Sequence, residues 1–406
     1  MKVLIVEDAL SSLNGHWFQY ISDIVRDGGL VGYNIHVAVP KDASKEVLAG
    51  LPCHPILSSS LSKRKTAQTS FLTSLWRIFS SNRSLYQDLK NILLKENTYD
   101  LIISPSTRVD HLIAYLLLFL RLKNKSKTRF VLIFIDAVAS YSSDYSKIHF
   151  SKKSLILKIA LKLTRGHSSP RELIFAAESL GMARQYKLLS GVDFKVVPHV
   201  TVLPTLDTYR SNLSSQHSEM KVPLVLATYG FTRFDKGLDI LQDALKSDPE
   251  LLQNPNVLFV LQWTGDYVLP DGKLIQKEPI LENAFNVSYI PAFEGSEQYY
   301  QWIAKTNIIV LPYRRAFYCD RLSRVAIDAA IAGIPVVYPR GTWLESFVSE
   351  YGSGIPFDAE NLASLAEAII RAISQFNELK EKASINSHIV SNAFSAAAFF
   401  RTITKL

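Results

Sequence analysis

The most informative stretch of this chain is Tyr229-Gly230-Phe231-Thr232-Arg233-Phe234-Asp235-Lys236-Gly237-Leu238-Asp239-Ile240-Leu241. The apolar run Leu224–Ala227 comes directly before this stretch and is typical of a buried strand. Apolar residues after Gly237 recur at helical spacing as far as Leu245. Two cations and two glycines therefore lie where a parallel strand is followed by a helix. The N–H groups and dipole at a helix N-terminus favour the binding of anions.

A second motif follows some eighty residues later and contains two carboxylates. The predicted strand Ile308–Leu311 leads to Asp320 and then to Asp328, which opens the run Asp328-Ala329-Ala330-Ile331-Ala332 in the predicted helix Val325–Ala332. The segment Ala332-Gly333-Ile334-Pro335-Val336-Val337 closes the motif. Carboxylates accept hydrogen bonds from hydroxyl groups, and cations bind phosphates. Together the two motifs predict a site for a sugar nucleotide.

Short β-like runs alternate with amphipathic helical patterns in both halves of the chain, which favours two parallel sheets covered by helices. The predicted strands are Val3–Val6, Ile35–Val39, Leu101–Ser104, Arg129–Ile135, Ile174–Ala177, Lys195–Val197, Leu224–Ala227, Val257–Gln262, Val287–Ile290, Ile308–Leu311 and Val336–Tyr338. Residues 200–222 have no sustained period and are interpreted as an interdomain linker. The fold class predicted is α/β, with two tandem Rossmann-like domains.

The bulk composition excludes several classes of protein. A chain of 406 residues with 48% hydrophobic and 20% charged residues is expected to form two soluble domains. Two distant cysteines, Cys53 and Cys319, and a strand that opens at Met1 indicate a reducing, cytoplasmic compartment. The longest apolar run, Leu112–Leu120, is far shorter than the roughly 20 residues that span a bilayer. Neither a Gly-x-Gly-x-x-Gly after the first strand nor a P-loop occurs, which argues against a dehydrogenase and an NTPase.

The positive charge of the chain is concentrated in residues 61–166, which hold 19 lysines and arginines against 6 aspartates and glutamates. Basic amphipathic segments around Trp76 and along Leu155–Leu163 lie in this region. Such segments commonly bind anionic membrane surfaces, so we expect a peripheral association with the inner face of a membrane. The alternative is that these helices face the core and expose a solvated basic side. A nucleic-acid partner is not expected, since no nucleic-acid-binding motif is present.

The two motifs resemble those of retaining GT-B glycosyltransferases, and of family 4 in particular. That family carries Gly-x-x-Arg-x-x-Lys-Gly before a helix, and two acids eight positions apart before Ala-x-x-x-Gly-x-Pro-Val-Val. The resemblance covers residues 224–375 well and residues 1–205 loosely. It implies two Rossmann-like domains that face each other across a cleft, namely 1–205 on the acceptor side and 206–385 for the nucleotide sugar. Residues 386–406 would form a helix that packs back on the first domain.

The resemblance also implies an activity and a set of site residues. The protein would move a sugar from a UDP- or GDP-sugar to a glycan or lipid-linked saccharide, without a metal or a tightly bound cofactor. Asp328 would bind the ribose, and the N–H groups near Ser323 would bind the phosphates. The donor would be bound by Gly15, Gly230, Arg233, Lys236, Leu322, Ser323 and Asp328, and the catalytic residues would be Asp320, Asp136 and His16.

This chain departs from the family pattern at three positions. Asp320 and Asp328 stand where the family usually has Glu, and Arg324 stands where a small residue is common. The sequence leaves open whether Arg324 contacts phosphate or forms a salt bridge, and whether Arg314 and Arg315 bind an anion. Two alternatives to a transferase also stay open: a nucleotide-sugar epimerase of the same fold, and a non-catalytic GT-B-like binding subunit.

Overall fold

A computed structural model describes residues 1–13, 16–58, 71–96, 99–122, 127–142, 145, 147–164, 172–207, 209 and 223–405. The chain divides into two compact units. The N-terminal unit contains Met1–Val200 and Phe394–Leu406, and the C-terminal unit contains Thr201–Ala393. Much of the expected linker, residues 208 and 210–222, lies outside the described residues.

The N-terminal unit is an α/β domain. Its strands are β1 (Lys2–Val6), β2 (Asn34–Pro40), β3 (Cys53–Leu57), β4 (Leu101–Ser104), β5 (Arg129–Phe134), β6 (Ala139–Tyr141), β7 (Ile148–Phe150), β8 (Leu173–Ala177) and β9 (Lys195–Val196). Its first six helices are α1 (His16–Leu30), α2 (Lys45–Gly50), α3 (Phe71–Glu96), α4 (Val109–Leu122), α5 (Lys152–Thr164) and α6 (Leu180–Ser190).

Seven of these strands form a parallel sheet in the order β3-β2-β1-β4-β5-β8-β9. Side chains alternate between its two faces, so that Leu4 packs in the cluster beneath α3–α6 while Val3 and Ile5 pack in the cluster beneath α1 and α2. Helices on both faces explain why the central strands are apolar at nearly every position. A separate antiparallel pair is formed by β6 and β7.

The C-terminal unit repeats the architecture. Its strands are β10 (Leu224–Thr228), β11 (Val257–Gln262), β12 (Tyr267–Val268), β13 (Leu274–Ile275), β14 (Val287–Ile290), β15 (Ile308–Val310), β16 (Val336–Pro339) and β17 (Gly354–Phe357). Its helices are α7 (Leu238–Ser247), α8 (Pro249–Gln253), α9 (Pro279–Glu282), α10 (Ser296–Lys305), α11 (Arg315–Tyr318), α12 (Arg324–Ile331), α13 (Trp343–Tyr351), α14 (Leu362–Ser374) and α15 (Phe376–Ala393).

The second parallel sheet has the strand order β14-β11-β10-β15-β16-β17, and β12 and β13 form a small antiparallel pair. Its strand order reverses between β10 and β15, which are neighbours in the sheet but not in the chain. Ligands of open α/β sheets bind outside the carboxyl ends of the strands at such a switch point. The fold therefore places the connections that follow β10 and β15 where a ligand is expected.

The last helix, α16 (Ala396–Lys405), belongs to the N-terminal unit and packs on α1. The ring of Phe400 stacks on Tyr33 with the ring centroids 4.3 Å apart. A Cβ atom on Gly28 would lie 2.6 Å from Phe400, so the absence of a side chain at Gly28 permits this approach. Within the described part of the chain, none of the helices combines the length and apolarity that a membrane span requires.

Candidate functional site

The connection that follows β10, residues 229–237, is packed directly on the connection that follows β15. Gly237 has a φ of +66° and ends a short 3₁₀ turn over Phe234–Lys236. A Cβ atom at Gly237 would lie 1.9 Å from the carbonyl oxygen of Pro312, so only glycine fits there. The Arg314 N–H donates to the carbonyl of Asp235 at 3.1 Å. These contacts fix the 229–237 connection, which holds both predicted cations, against the switch point of the sheet.

Arg314 forms part of the frame of this site. Its guanidinium donates two bonds to the carboxylate of Asp239 and a third to the carbonyl of Phe234. It also lies 4.0 Å from the centre of the Phe234 ring. Burial raises the pKa of Asp239, but hydrogen bonds from Arg314 and Tyr267 outweigh it and hold that pKa below its usual range. The open alternative for Arg314 is thus resolved in favour of a structural ion pair.

The two predicted cations differ in their surroundings. Arg233 is half exposed and donates to Asp235 at 2.9 Å, and Arg321 lies 3.7 Å from the same carboxylate. Lys236 is partly buried, and its Nζ lies 3.9 Å from the centre of the Tyr313 ring. Burial lowers the pKa of Lys236 to about 7, with Arg233 and Arg321 adding to the effect and Asp235 opposing it. The site therefore joins a fixed positive charge to a lysine that titrates near neutral pH.

Gly230 lies beside Lys236 in a conformation that glycine favours. Its φ is +114°, and a Cβ atom there would be 3.8 Å from the Cε of Lys236. The N–H of Gly230 donates to the side chain of Gln262 at 2.7 Å, and Gln262 also donates to the carbonyl of Pro291 at 3.2 Å. Since the Gly230 N–H is used in this way, Gly230 shapes the loop by its backbone conformation.

The N-terminus of α12 approaches the same lysine from the other motif. Ser323 is the N-cap of this helix, and its hydroxyl accepts the N–H of Ala326 at 3.3 Å. That hydroxyl also donates to the hydroxyl of Tyr313 at 3.3 Å. The ring of Tyr313 therefore contacts Lys236 while its hydroxyl contacts the helix N-cap. The N–H groups of Arg324 and Val325, in the first turn of α12, have no intrahelical acceptors, as at any helix start, and Leu322 lies before the N-cap.

Asp328 lies inside α12, which begins at Arg324, one residue before the predicted start of this helix at Val325. The reason is that the hydroxyl of Ser323 caps the helix, which therefore starts about one turn before Asp328. The buried Asp328 carboxylate accepts the hydroxyl of Tyr299 on α10 at 2.8 Å. Arg324 lies 3.7 Å from the same carboxylate, which places Arg324 in a salt bridge one helical turn away.

Asp320 lies two residues after α11 and is partly buried. Arg315, at the start of α11, donates to the carbonyl of Gly341 at 3.1 Å, and its N–H donates to Glu360 at 2.9 Å. Arg315 is thus used to join two loops of the C-terminal unit. The second motif therefore supplies a buried acid, and a helix N-terminus that Tyr313 links to Lys236.

Comparison with known proteins relates this architecture to a group of solved structures. HepE of Anabaena, in complex with UDP and glucose, is 16% identical with a TM-score of 0.62, over 100% of this chain and 98% of HepE. Sucrose-phosphate synthase of Thermosynechococcus elongatus is 13% identical with a TM-score of 0.64, over 100% and 98%. WaaG, a glycosyltransferase involved in lipopolysaccharide biosynthesis, is 14% identical with a TM-score of 0.58, over 98% and 99%. No family model and no curated protein sequence matches the chain.

The chain has the GT-B fold. The predicted fold class, two Rossmann-like α/β domains, is confirmed. At identities of 13–16%, the similarity establishes the fold alone.

In the N-terminal unit of this GT-B protein, Asp136 follows β5 by two residues and is exposed. The hydroxyl of Tyr186 donates to its backbone carbonyl at 2.8 Å. Gly15 lies outside the described residues, and so does the side chain of His16, whose backbone starts α1. The roles expected for Gly15, His16 and Asp136 stay predictions.

A buried polar cluster in the N-terminal unit was not predicted from the sequence. At the carboxyl end of β1, Glu7 accepts hydrogen bonds from Ser106 at 2.8 Å and from the N–H of Ala9 at 2.9 Å. The neighbouring Asp8 pairs with Arg108 at 2.7 Å and with His111 at 3.2 Å. Burial, followed by repulsion from Asp8, raises the pKa of Glu7 to about 7. The position of Glu7 and Asp8 directly after an apolar strand was the feature of the sequence that could have indicated this cluster.

No group of three or more histidine, cysteine or acidic side chains within the described ranges has the arrangement of a metal site. Positive charge in the candidate site comes from Arg233 and Arg321, which lie beside the Asp235 carboxylate, and from Lys236. Such an arrangement suits a polyanionic ligand, since one acid neutralises only part of the charge of three basic groups.

Proposed function

We propose that this protein is a glycosyltransferase that moves a sugar from a nucleoside-diphosphate sugar to a glycan or lipid-linked saccharide. One observation carries the proposal. Arg233 and Lys236 lie at the switch point of the second sheet, on a connection that Gly237 packs against Pro312. The residue after Pro312, Tyr313, is hydrogen-bonded to the N-cap of α12. Cations and a helix N-terminus together favour a diphosphate.

The chemistry proposed is stabilisation of the leaving group. When the bond between the anomeric carbon and the diphosphate breaks, its electron pair goes to the phosphate oxygen, which gains negative charge. Cations held in place at that oxygen stabilise the transition state more than the ground state. Arg233 is suited to bridge two phosphate oxygens, and Lys236 acts as a compact charge. Because the 229–237 connection is anchored by Gly237, little reorganisation is needed.

The remaining residues of the second motif are assigned to the sugars of the donor. We assign the ribose hydroxyls to Asp328, whose carboxylate is oriented by Tyr299 and Arg324. We assign the hydroxyls of the transferred sugar to Asp320. Asp136, His16 and Gly15 of the N-terminal unit are proposed to line the sugar and the acceptor. Retention of anomeric configuration, like independence of metal, is proposed from the motif resemblance.

The solved structures support a uridine nucleotide as the first donor to test, because HepE was solved with UDP and with UDP-glucose. The decisive experiment is a thermal-shift panel of UDP, GDP, ADP, CMP and their sugar conjugates with EDTA present. We expect one base to raise the melting temperature, since ligand binding to the folded state stabilises it. Arg233→Ala should remove the shift, whereas Arg340→Ala, at an exposed pair with Asp358, should keep it.

Two outcomes would replace the proposal. The absence of a shift with every nucleotide would favour a non-catalytic binding subunit of the same fold. Conversion of the sugar nucleotide into an isomer without any acceptor, detected by proton NMR, would favour an epimerase. Appearance of free nucleoside diphosphate together with a glycosylated acceptor supports the transferase.

We also propose that the acceptor is presented at an anionic membrane surface. The described parts of helices α3, α4 and α5 expose an apolar band: Trp76, Phe79, Ile113, Leu117, Leu155, Ile159 and Leu163. α4 packs between α3 and α5, so the band continues across three neighbouring helices. Lys158 and Lys162 accompany the band on α5. Bulky apolar side chains beside lysines are typical of helices that lie on anionic bilayers. The basic segment at 63–65 lies outside the described residues.

Vesicle flotation tests this second proposal. Vesicles with about 30% phosphatidylglycerol should bind the wild-type protein, and neutral phosphatidylcholine vesicles should bind it less. Leu155→Glu with Ile159→Glu should abolish binding, whereas Leu188→Glu on α6, also exposed, should not. Equal binding of both variants would place the contact elsewhere.

A further inference from the structure

We propose that Tyr313 is a positioning residue for the donor diphosphate, and that nucleotide binding takes up a proton at Lys236. The inference deepens the proposed function and rests on it. Tyr313 is fully buried and has two distinct contacts, one through its ring face and one through its hydroxyl. Each contact leads to a different half of the candidate phosphate site.

The ring contact determines where the lysine lies. The Nζ of Lys236 is 3.9 Å from the ring centre of Tyr313 and 5.1 Å from that of Tyr318. The two rings are themselves 4.3 Å apart, with an interplanar angle of 32°. Aromatic faces attract an ammonium group but supply none of the hydrogen bonds that water or phosphate oxygens would provide. Lys236 is therefore held in place without strong polar partners at its ring-facing side.

The hydroxyl contact determines where the helix start lies. Tyr313 accepts a hydrogen bond from Ser323, the N-cap of α12, at 3.3 Å. Since Ser323 in turn caps Ala326, the first turn of α12 is linked through Tyr313 to the lysine. A single side chain thus sets the distance between a cation and a helix N-terminus, two groups expected to share one diphosphate.

The groups around Lys236 explain why nucleotide binding should add a proton to this lysine. On its own connection, Asp235 favours the ammonium and Arg233 disfavours it, and Arg321 from the segment after α11 also disfavours it. Tyr313 and Tyr318 complete the surroundings with ring faces. Burial is the largest cause and leaves the pKa of Lys236 at about 7. A diphosphate adds negative charge to this group of cations, so binding favours the protonated lysine.

Isothermal titration calorimetry of UDP-glucose and GDP-glucose, in buffers of different ionisation enthalpy, tests the inference. A sugar nucleotide lacks the terminal phosphate proton that titrates near pH 6, so uptake reports the protein. We expect uptake of most of one proton per bound nucleotide at pH 8 and of little at pH 6. Lys236→Met should show no uptake at either pH.

Two substitutions, Tyr313→Phe and Tyr313→Leu, test the hydroxyl contact and the ring contact of Tyr313 separately. Tyr313→Phe keeps the ring, so proton uptake should match wild type while affinity falls a few-fold through loss of the Ser323 contact. Tyr313→Leu removes the ring and lets water reach Lys236, which relieves the burial that lowers its pKa, so uptake at pH 8 should fall to less than half of wild type, with about tenfold weaker binding. Thermal melts establish that each variant is folded. If Tyr313→Leu is unfolded, the separate variants Tyr313→Phe and Lys236→Met still test whether the proton is taken up at Lys236.

The outcomes distinguish this inference from the proposed function. Failure of both nucleotides to bind the wild-type protein overturns the proposed function, and the inference with it. Binding without proton uptake at pH 8, or uptake that persists in Lys236→Met, overturns the inference alone. Uptake that is lost in Lys236→Met, reduced in Tyr313→Leu and kept in Tyr313→Phe supports it.

Discussion

Gly237 and the carbonyl oxygen of Pro312 are so close that a Cβ atom on residue 237 would lie 1.9 Å from that oxygen. The two residues are far apart in sequence, and each belongs to one of the two motifs of the candidate site. Their contact holds the connection after β10 against the connection after β15. The spacing of the two cations from α12 therefore depends on a residue without a side chain.

Gly237→Ala should destabilise the protein by about 3 kcal/mol or more, because it adds a backbone clash to an unfavourable φ. Gly272→Ala is the matched control, since Gly272 has a φ of +89° and a Cβ atom added there would meet nothing within 4 Å. The control should lose only about 1–2 kcal/mol. Urea unfolding of both variants measures the difference, and equal losses would contradict the role of the Pro312 contact.

Arg233→Ala should reduce turnover on the order of 10²-fold or more while the melting temperature changes little. The side chain is half exposed, and its ion pair with Asp235 lies near the surface, so stability depends on it weakly. Steady-state release of nucleoside diphosphate measures the effect, with Arg340→Ala as the control for loss of a surface guanidinium. Near-normal turnover in Arg233→Ala would remove this residue from the catalytic assignment.

Tyr299→Phe should raise the KM for the nucleotide sugar about tenfold and leave kcat nearly unchanged, because a hydrogen bond to a charged group contributes about 1.5–3 kcal/mol. Its hydroxyl orients the Asp328 carboxylate, which is assigned to the ribose and not to the reacting atoms. Tyr289→Phe loses a comparable bond, which goes at 2.6 Å to the side-chain amide oxygen of Gln242 and not to a carboxylate. A similar rise in KM in both variants would show a general packing effect.

Lys236→Met should change how stability depends on pH. The pKa of Lys236 is about 7 in the folded protein and 10.5 ordinarily, so between these values the unfolded chain binds a proton that the folded chain lacks. The free energy of unfolding therefore rises with pH between about 7 and 10.5. Below pH 7 the buried Lys236 is charged in the folded protein, and the destabilisation that it causes is largest there. We expect Lys236→Met to be more stable than wild type at pH 6.5, with the gain shrinking by pH 9.5 in urea titrations.

Glu7→Gln should change how stability depends on pH, in a lower pH range than Lys236→Met does. Burial and Asp8 raise the pKa of Glu7 from 4.5 to about 7, so the folded protein holds an extra proton between these values. Stability from this group is full below pH 4.5 and is lost as pH rises towards 7. The glutamine variant stays neutral, so its advantage over wild type should be greater at pH 8 than at pH 5. A constant difference across this range would show that Glu7 does not titrate there.

Much of the fold follows from local patterns in the sequence. Strands such as β4 and β11 coincide with the predicted runs because buried parallel strands are apolar at nearly every position. The edge strands β3 and β17 were missed. They contain Pro55 and, in β17, Gly354 with Pro356, residues that disfavour strands, and they form because a neighbouring strand supplies the hydrogen bonds. Helix α15 was missed because its sequence is rich in polar residues and only Leu379, Ala383 and Val390 are buried.

In the candidate site, too, some residues could be predicted from local sequence patterns and others could not. Local spacing indicated Gly230, Arg233, Lys236 and Gly237 as an anion-binding turn between a strand and a helix, because that chemistry depends on neighbours in sequence. The partners of these residues could not be read in the same way. Tyr313, Tyr299 and Arg321 are ordinary residues in a linear sequence, and their roles come from contacts across long stretches of chain.

The two sheets, the cationic turn and the paired acids could be predicted from the sequence, because apolar periodicity and strand-to-helix turns are local properties. Which charges meet depends on the tertiary structure. It placed Arg314 on Asp239, Arg324 on Asp328, and Lys236 on Tyr313. The physical reason is that a charge is stabilised by whatever lies within a few ångströms of it, and parallel sheets bring together residues that lie far apart in the chain.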